Sequence, residues 1–136
     1  MASLHFELVS PEKLLFSGEV AQVDVPGAEG DFGVLANHAP MVATLRPGIL
    51  TVHGADGERK IVVLGGFAEV SAQGLIVLAD VAESVESIDR TMISTRISDL
   101  ESRIEKTEAG SALDKLITRL DHFKTVDRHL TGTAMH

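Results

Sequence analysis

Two periodicities divide this chain. From Leu4 to Leu8 the apolar residues alternate with His5 and Glu7, the two-residue period of a strand with one buried face. Far downstream, Ile93, Ile97, Leu100 and Ile104 recur at steps of four, three and four, which aligns them along one stripe of a helix. Leu113, Leu116, Leu120 and Phe123, joined by Ile117, form a second stripe of the same kind. In between, short runs at Leu14 to Val20, Gln22 to Val25, Ile49 to His53, Lys60 to Leu64, Phe67 to Val70 and Leu75 to Ala79 are separated by corners rich in Gly, Pro and Asp. Such spacing predicts about eight to ten short antiparallel strands packed as two sheets. Pro26-Gly27 and Pro47-Gly48 read as chain reversals, Gly27 to Gly48 as one buried hairpin between turn-rich corners, and Gly65-Gly66 as a bend.

For the helical part, Ser87 or Asp89 is the expected N-cap and Gly110 the expected stop of the first helix. Ser111 with Asp114 resembles a capping box that opens the second. A link this short makes the helices an antiparallel hairpin followed by a short C-terminal tail. Nine apolar side chains are too few to offset the ordering of some forty residues, so the hairpin reads as an arm that needs a surface to lean on.

Composition sharpens the boundary. Up to Val85 lie 10 of 12 glycines, all four prolines and 13 of 14 valines, so an α+β chain is expected with a β-sandwich at 1–85 and a helical hairpin at 86–136. The first part carries four Lys/Arg against 11 Asp/Glu and the second eight against nine. A net charge of −8 with no Tyr or Trp argues against nucleic acid, and the absence of cysteine removes disulfides and thiolate chemistry. No run of about 20 apolar residues is present and MASLHFELVS lacks the marks of a secretory signal, so no membrane insertion is expected.

Candidate chemistry is sparse. Ser10-Pro11-Glu12-Lys13 matches S-x-x-K, yet a Pro-Glu turn does not present serine and lysine on one helical face. The glycine-rich Gly27 to Gly33 lacks a Gly-Lys-Ser/Thr ending and holds two carboxylates that would repel phosphate. Six histidines lack metal-ligand spacing, so neither a catalytic residue nor a metal site is expected. A jelly-roll binding module and a small hydrolase using Ser10 and Lys13 are the other classes the residues leave open.

Four motifs then occur in order: Gly30-Asp31-Phe32-Gly33-Val34-Leu35, His38-Ala39-Pro40 with Pro47-Gly48, Gly65-Gly66-Phe67-Ala68-Glu69-Val70, and Val77-Leu78-Ala79-Asp80. Together they closely resemble the epsilon subunit family of the rotary F-type ATP synthase. The resemblance spans essentially the whole chain and implies a β-sandwich followed by a helical hairpin. It further implies a non-catalytic rotor part of a proton-translocating synthase, peripheral on the cytoplasmic face of a bacterial inner membrane. Its sandwich would bind the gamma subunit and the c-ring. Glu29, Gly30, Asp31 and Phe32 are similar to the family's ring-facing loop, and His38, Ala39, Pro40 and Met41 to its gamma-facing segment. In many bacterial members the arm extends toward the catalytic alpha and beta subunits and blocks ATP hydrolysis. The resemblance leaves both a plain lever and such an inhibitor open here, with Lys115, Arg119 and His122 as the basic face that would meet an acidic surface. Some members bind ATP through an Ile/Leu-Asp-x-x-Arg-Ala pattern. The matching residues are Ile88-Asp89-Arg90-Thr91-Met92-Ile93, and Met92 in place of arginine argues against ATP, so no cofactor is expected.

Overall fold

A computed structural model describes residues 3–134 and divides the chain into two compact units, Met1–Glu86 and Ser87–His136. The first holds eight strands: β1 (Leu4–Ser10), β2 (Lys13–Val20), β3 (Gln22–Gly27), β4 (Gly30–Leu35), β5 (Met41–Gly54), β6 (Gly57–Ser71), β7 (Gly74–Ala79) and β8 (Ala82–Ser84). They run in the order β2-β1-β7-β6-β5-β3-β4, with β8 paired to β6. The sheet curls over itself, since β2 at one end approaches β5, and the Arg59 guanidinium of β6 stands 5.8 Å over the Phe16 ring of β2. One core results, built from Leu4, Phe6, Leu8, Val23, Val25, Val34, Leu50, Val52, Val63, Leu75 and Val77 among others.

One pair departs from the antiparallel expectation: β1 and β7 run parallel, with Phe6 beside Leu75 and Leu8 beside Val77. Alternation names the buried face of a strand but carries no direction, so either orientation would bury the same side chains.

The expected break at Pro47-Gly48 is absent, and β5 runs unbroken for 14 residues. Pro47 pairs with Leu64 of β6 on one side, while the ladder to β3 on the other is interrupted between Asp24 and Gly27. Its missing N–H therefore faces a gap in the pairing rather than a carbonyl. Likewise β6 continues for 15 residues through Gly65-Gly66. Before the glycines it pairs with β8 at Ile61 to Val63, and from Gly66 onward with β7. Gly66 adopts φ +127°, and a Cβ there would lie 2.0 Å from the Leu78 carbonyl oxygen, so the partner exchange requires glycine. Two strands bent in this way replace the shorter ones that the turn residues suggest.

The second unit contains α1 (Arg90–Lys106) and α2 (Ser111–Ala134). Asp89 caps α1 by accepting from the Thr91 amide at 2.9 Å. The C-cap is Thr107, not Gly110, and it donates its amide to the Ile104 carbonyl. Gly110 instead opens α2, its carbonyl accepting from the Asp114 amide at 3.1 Å, so Ser111 lies inside the helix and no capping box forms. Arg90 at the start of α1 donates to Thr131 near the end of α2, and Lys124 lies 3.9 Å from Glu101, which fixes the pair as antiparallel. Ile93, Leu100 and Phe123 are buried, and Ile97, Ile104, Leu113, Leu116 and Leu120 half-buried. Val126 and Leu130 carry the buried stripe onward, whereas Ile117 is exposed and does not belong to it. Because α2 reaches Ala134, the expected tail shrinks to residues 135–136, outside the described residues.

Candidate functional site

The β3–β4 turn singled out in the sequence lines one groove together with Met41, the last residue of the second segment, and the start of β5. A two-residue connection, Ala28-Glu29, joins β3 to β4 with Gly27 opposite Gly30. Gly27 is buried, and a Cβ there would sit 2.5 Å from the Gly30 carbonyl oxygen. The turn is tied to β5 by the Ala28 amide, which donates to the Thr44 carbonyl at 2.8 Å. Arg46 adds a two-pronged clip: Nη1 donates to the Gly27 carbonyl at 2.7 Å and Nη2 lies 2.5 Å from Asp31 Oδ1. Glu29, Gly30 and Asp31 are exposed, while Phe32 is half-buried and packs on the core.

His38 to Met41 lead into β5, and of these Met41 lines the groove. Asn37 takes φ +67°, the His38 amide donates to the Leu35 carbonyl, and His38 Nδ1 stands 2.8 Å from the Ala39 carbonyl. Ala39 and Pro40 are exposed, and Met41 packs partly on the core. Gly27 to Gly30 and Phe32 on one side and Met41 to Thr44 on the other enclose about 300 Å³.

Neither loop motif marks the apolar strip that begins beside this groove. Val42, Phe67 and Leu78 are 68%, 54% and 52% exposed. Phe67 pairs directly with Leu78 of β7 and with Thr44 of β5, and Val42 pairs with Glu69, so all three point to the same open face of three adjacent strands. A contiguous exposed apolar strip on a charged protein is the surface signature of a protein partner. The signal was present in the sequence: Phe67 and Leu78 hold the outward positions of alternating strands where polar residues are expected.

Elsewhere the polar groups serve the sheet. His5 of β1 is held between Glu19 at 2.8 Å and Glu7 at 3.4 Å. Hydrogen bonds to Glu19, then Glu7, raise its pKa above the ordinary value. The Glu19 carboxyl is held low, first by Ser3 and then by His5. Burial pushes Asp24 up, but hydrogen bonds from His53 (2.7 Å) and Gln22 (2.5 Å) outweigh it and leave its pKa lowered. Ser10 directs its hydroxyl to the Lys13 carbonyl across the β1–β2 turn. Among the described residues no three His, Asp or Glu side chains converge as metal ligands, and no helix is long and apolar enough to cross a membrane.

On α2, Lys115 and Arg119 are exposed and His122 is half-buried, with the Arg119 guanidinium 5.3 Å above the Phe123 ring. Ile117 lies exposed between the two cations in sequence. At the head of α1, Met92 is half-buried, and Asp89 of the nucleotide-like pattern is engaged as the cap.

Residues 3–85 match the family model of the ATP synthase delta/epsilon chain β-sandwich domain. The ATP synthase epsilon chain of Rhodopseudomonas palustris strain BisA53 is 62% identical over 136 residues, covering 100% of both chains. That of Nitrobacter winogradskyi is 61% identical, and that of Afipia carboxidovorans 59%, each over 100% of both chains. Among solved structures, a chain of the Euglena gracilis mitochondrial ATP synthase, determined with OSCP, F1 and c-ring, superposes with a TM-score of 0.73 at 24% identity. The match covers 100% of this chain and 83% of that one, and it shows the shared fold.

Proposed function

From the premise that the chain belongs to the ATP synthase epsilon chain family, we propose that it is the non-catalytic wedge of the central stalk. In this reading the sandwich seats between the gamma subunit and the c-ring, so that rotation of the ring is passed to the catalytic head. The protein then lies at the membrane surface as a peripheral part of the complex. Torque transmission needs rigid shape and interface area rather than bond-making groups, and it is the exposed strip of Val42, Phe67 and Leu78 that carries the proposal. The strip runs on from the His38 to Met41 segment and suits the gamma-facing side. The Glu29 to Phe32 turn across the groove suits the ring-facing side.

The arm's role is a second part of the reading. Lys115, Arg119 and His122 would meet an acidic surface of the catalytic subunits if the helices extend, and the arm acts without ATP because Met92 supplies no fixed cation for a phosphate.

Rebinding to a synthase stripped of this subunit tests the wedge. Burying a side chain such as Phe67 is worth about 1.5–3 kcal/mol, so Phe67→Asp and Val42→Asp should each weaken rebinding by roughly tenfold or more. Leu14→Asp, at an exposed apolar residue outside the strip, should not. Equal affinities for all three variants and the unchanged chain would remove the strip from the interface.

A further inference from the structure

Val20 ends β2 and Gln22 begins β3, so Ala21 alone carries the chain from one end of the strand order to the other. This corner closes the curled sheet, and the Ala21 amide donates to the His53 carbonyl of β5 at 2.8 Å. A histidine–carboxylate tie lies on each side of it. Before the corner, Glu19 of β2 is 2.8 Å from His5 Nδ1 of β1, while His5 Nε2 lies 3.4 Å from Glu7. After it, Asp24 of β3 is 2.7 Å from His53 Nε2, while His53 Nδ1 lies 3.4 Å from Glu58 of β6. Both imidazoles therefore meet a carboxylate oxygen at each ring nitrogen. A neutral ring has one N–H and turns a lone pair toward its second carboxylate, whereas a protonated ring donates to both. The other neighbours keep the carboxylates ionised: Ser3 donates to Glu19, Gln22 donates to Asp24, and the Lys60 ammonium of β6 acts on Asp24 from a distance. Beside these ties β7 sets the uncharged Leu75 and Ile76 against β1, and β4 sets Leu35 and Gly33 opposite Gln22 and Asp24. Asp24 is also the last residue of β3 in regular pairing with β5 before their ladder breaks, so its tie holds the strand where the backbone stops doing so.

We propose that the β2–β3 corner is a proton-operated latch: with His5 and His53 protonated the two ties close the seam of the sheet, and with both neutral the corner opens locally while the rest of the sandwich holds. The latch closes as pH falls. Hydrogen bonds to Glu19 and then Glu7 raise the pKa of His5, so its tie is complete below about pH 6.5 and is lost as pH climbs through the raised value. The geometry at His53, a carboxylate at each nitrogen, gives the second tie the same sign. Because the Glu19 and Asp24 carboxyls are both held below their ordinary values, neither tie is undone from the acid side until pH falls below the usual carboxylate range. The device needs no partner and stands apart from the rotor reading; in a wedge that passes load it makes the joint between the two ends of the sheet stiffer in acid than in alkali.

The test follows the full-length chain from about pH 5.5 to about pH 8, across the range in which histidine titrates. Imidazole NMR shifts report the protonation of each histidine, and amide exchange, corrected for the intrinsic effect of pH, reports opening of peptides spanning Glu19 to Asp24. Protection there should fall roughly two- to tenfold in step with loss of the two imidazole protons, while peptides from β7 keep theirs. His5→Gln and His53→Gln should each remove part of this pH dependence, and the double variant all of it, leaving the corner at its alkaline level of protection throughout. Far-UV circular dichroism checks that each variant folds. If the double variant does not, the titration of the unchanged chain and the two single variants still decide. Protection at the corner that is the same at both ends of the pH range, that falls equally in β7, or that keeps its full pH dependence in His5→Gln and His53→Gln overturns the latch. None of these outcomes touches the stalk reading.

Discussion

Gly66→Ala separates strain from collision in the bent strand. The backbone at Gly66 sits at φ +127°, where an L-residue costs about 1–3 kcal/mol. The added Cβ would also lie 2.0 Å from the Leu78 carbonyl oxygen and 2.9 Å from the Ala79 Cα. Both are backbone atoms, so β7 must retreat by about 1 Å or more and loosen the pairs Gly66–Ala79 and Phe67–Leu78, at about 1 kcal/mol per hydrogen bond lost. The total is roughly 3–5 kcal/mol, a large share of the 5–15 typical of a domain. Gly57→Ala is the control: φ is +110°, but nothing lies within 4 Å of the new methyl, so only the conformational cost of about 1–3 kcal/mol remains. Amide hydrogen exchange of peptides spanning β6 and β7, read by mass spectrometry on the full chain, measures this directly. Protection should fall by roughly two to three orders of magnitude in Gly66→Ala and clearly less in Gly57→Ala. Equal losses in the two variants would refute the claim that close approach to β7, rather than φ alone, demands glycine.

Three further outcomes follow from other contacts. The His5–Glu19 clip stabilises through a raised histidine pKa, fully present below about pH 6.5 and lost as pH rises, and through a lowered Glu19 pKa, present above about pH 4.5 and lost as pH falls. His5→Gln should therefore lower the melting temperature most between those values and least at pH 8; a penalty that does not change with pH would exclude the clip. Asp89→Ala removes the α1 cap and should cost the helical unit about 0.5–2 kcal/mol, seen as faster exchange at Thr91 and Met92 with β1 unaffected. Reversing the charges of Lys115 and Arg119 should relieve any restraint on ATP hydrolysis and reduce its salt dependence in the assembled complex. Unaltered hydrolysis and salt dependence would remove the basic face from regulation.

What the sequence could reveal depended on whether the signal was local. Alternation at Leu4 to Leu8 and the four-three-four steps from Ile93 are set by neighbours in the chain, and β1 and α1 lie where those patterns put them. Pairing is not local. The parallel β1–β7 contact, and the survival of β5 through Pro47, depend on which strand lies alongside. The N-cap of α1 was legible, since Asp89 holds it, but the link between the helices was not: Gly110 suits either the end of one helix or the start of the next, and only the geometry of the link decides between them. At the candidate site the turn and the His38 segment were recognisable as motifs. The groove and the Arg46 clip reaching back 19 residues to Gly27 arise from register, which no single stretch contains; register also gathers Val42, Phe67 and Leu78 into one strip, although the outward apolar positions of Phe67 and Leu78 were each visible in the sequence.

Proton-driven ATP synthesis by the complex reconstituted with and without this chain tests the account most directly. The rotor reading predicts that omission lowers the yield of ATP per unit of proton flux, and that adding back the full-length chain restores it. Normal assembly with undiminished synthesis in its absence would contradict that reading.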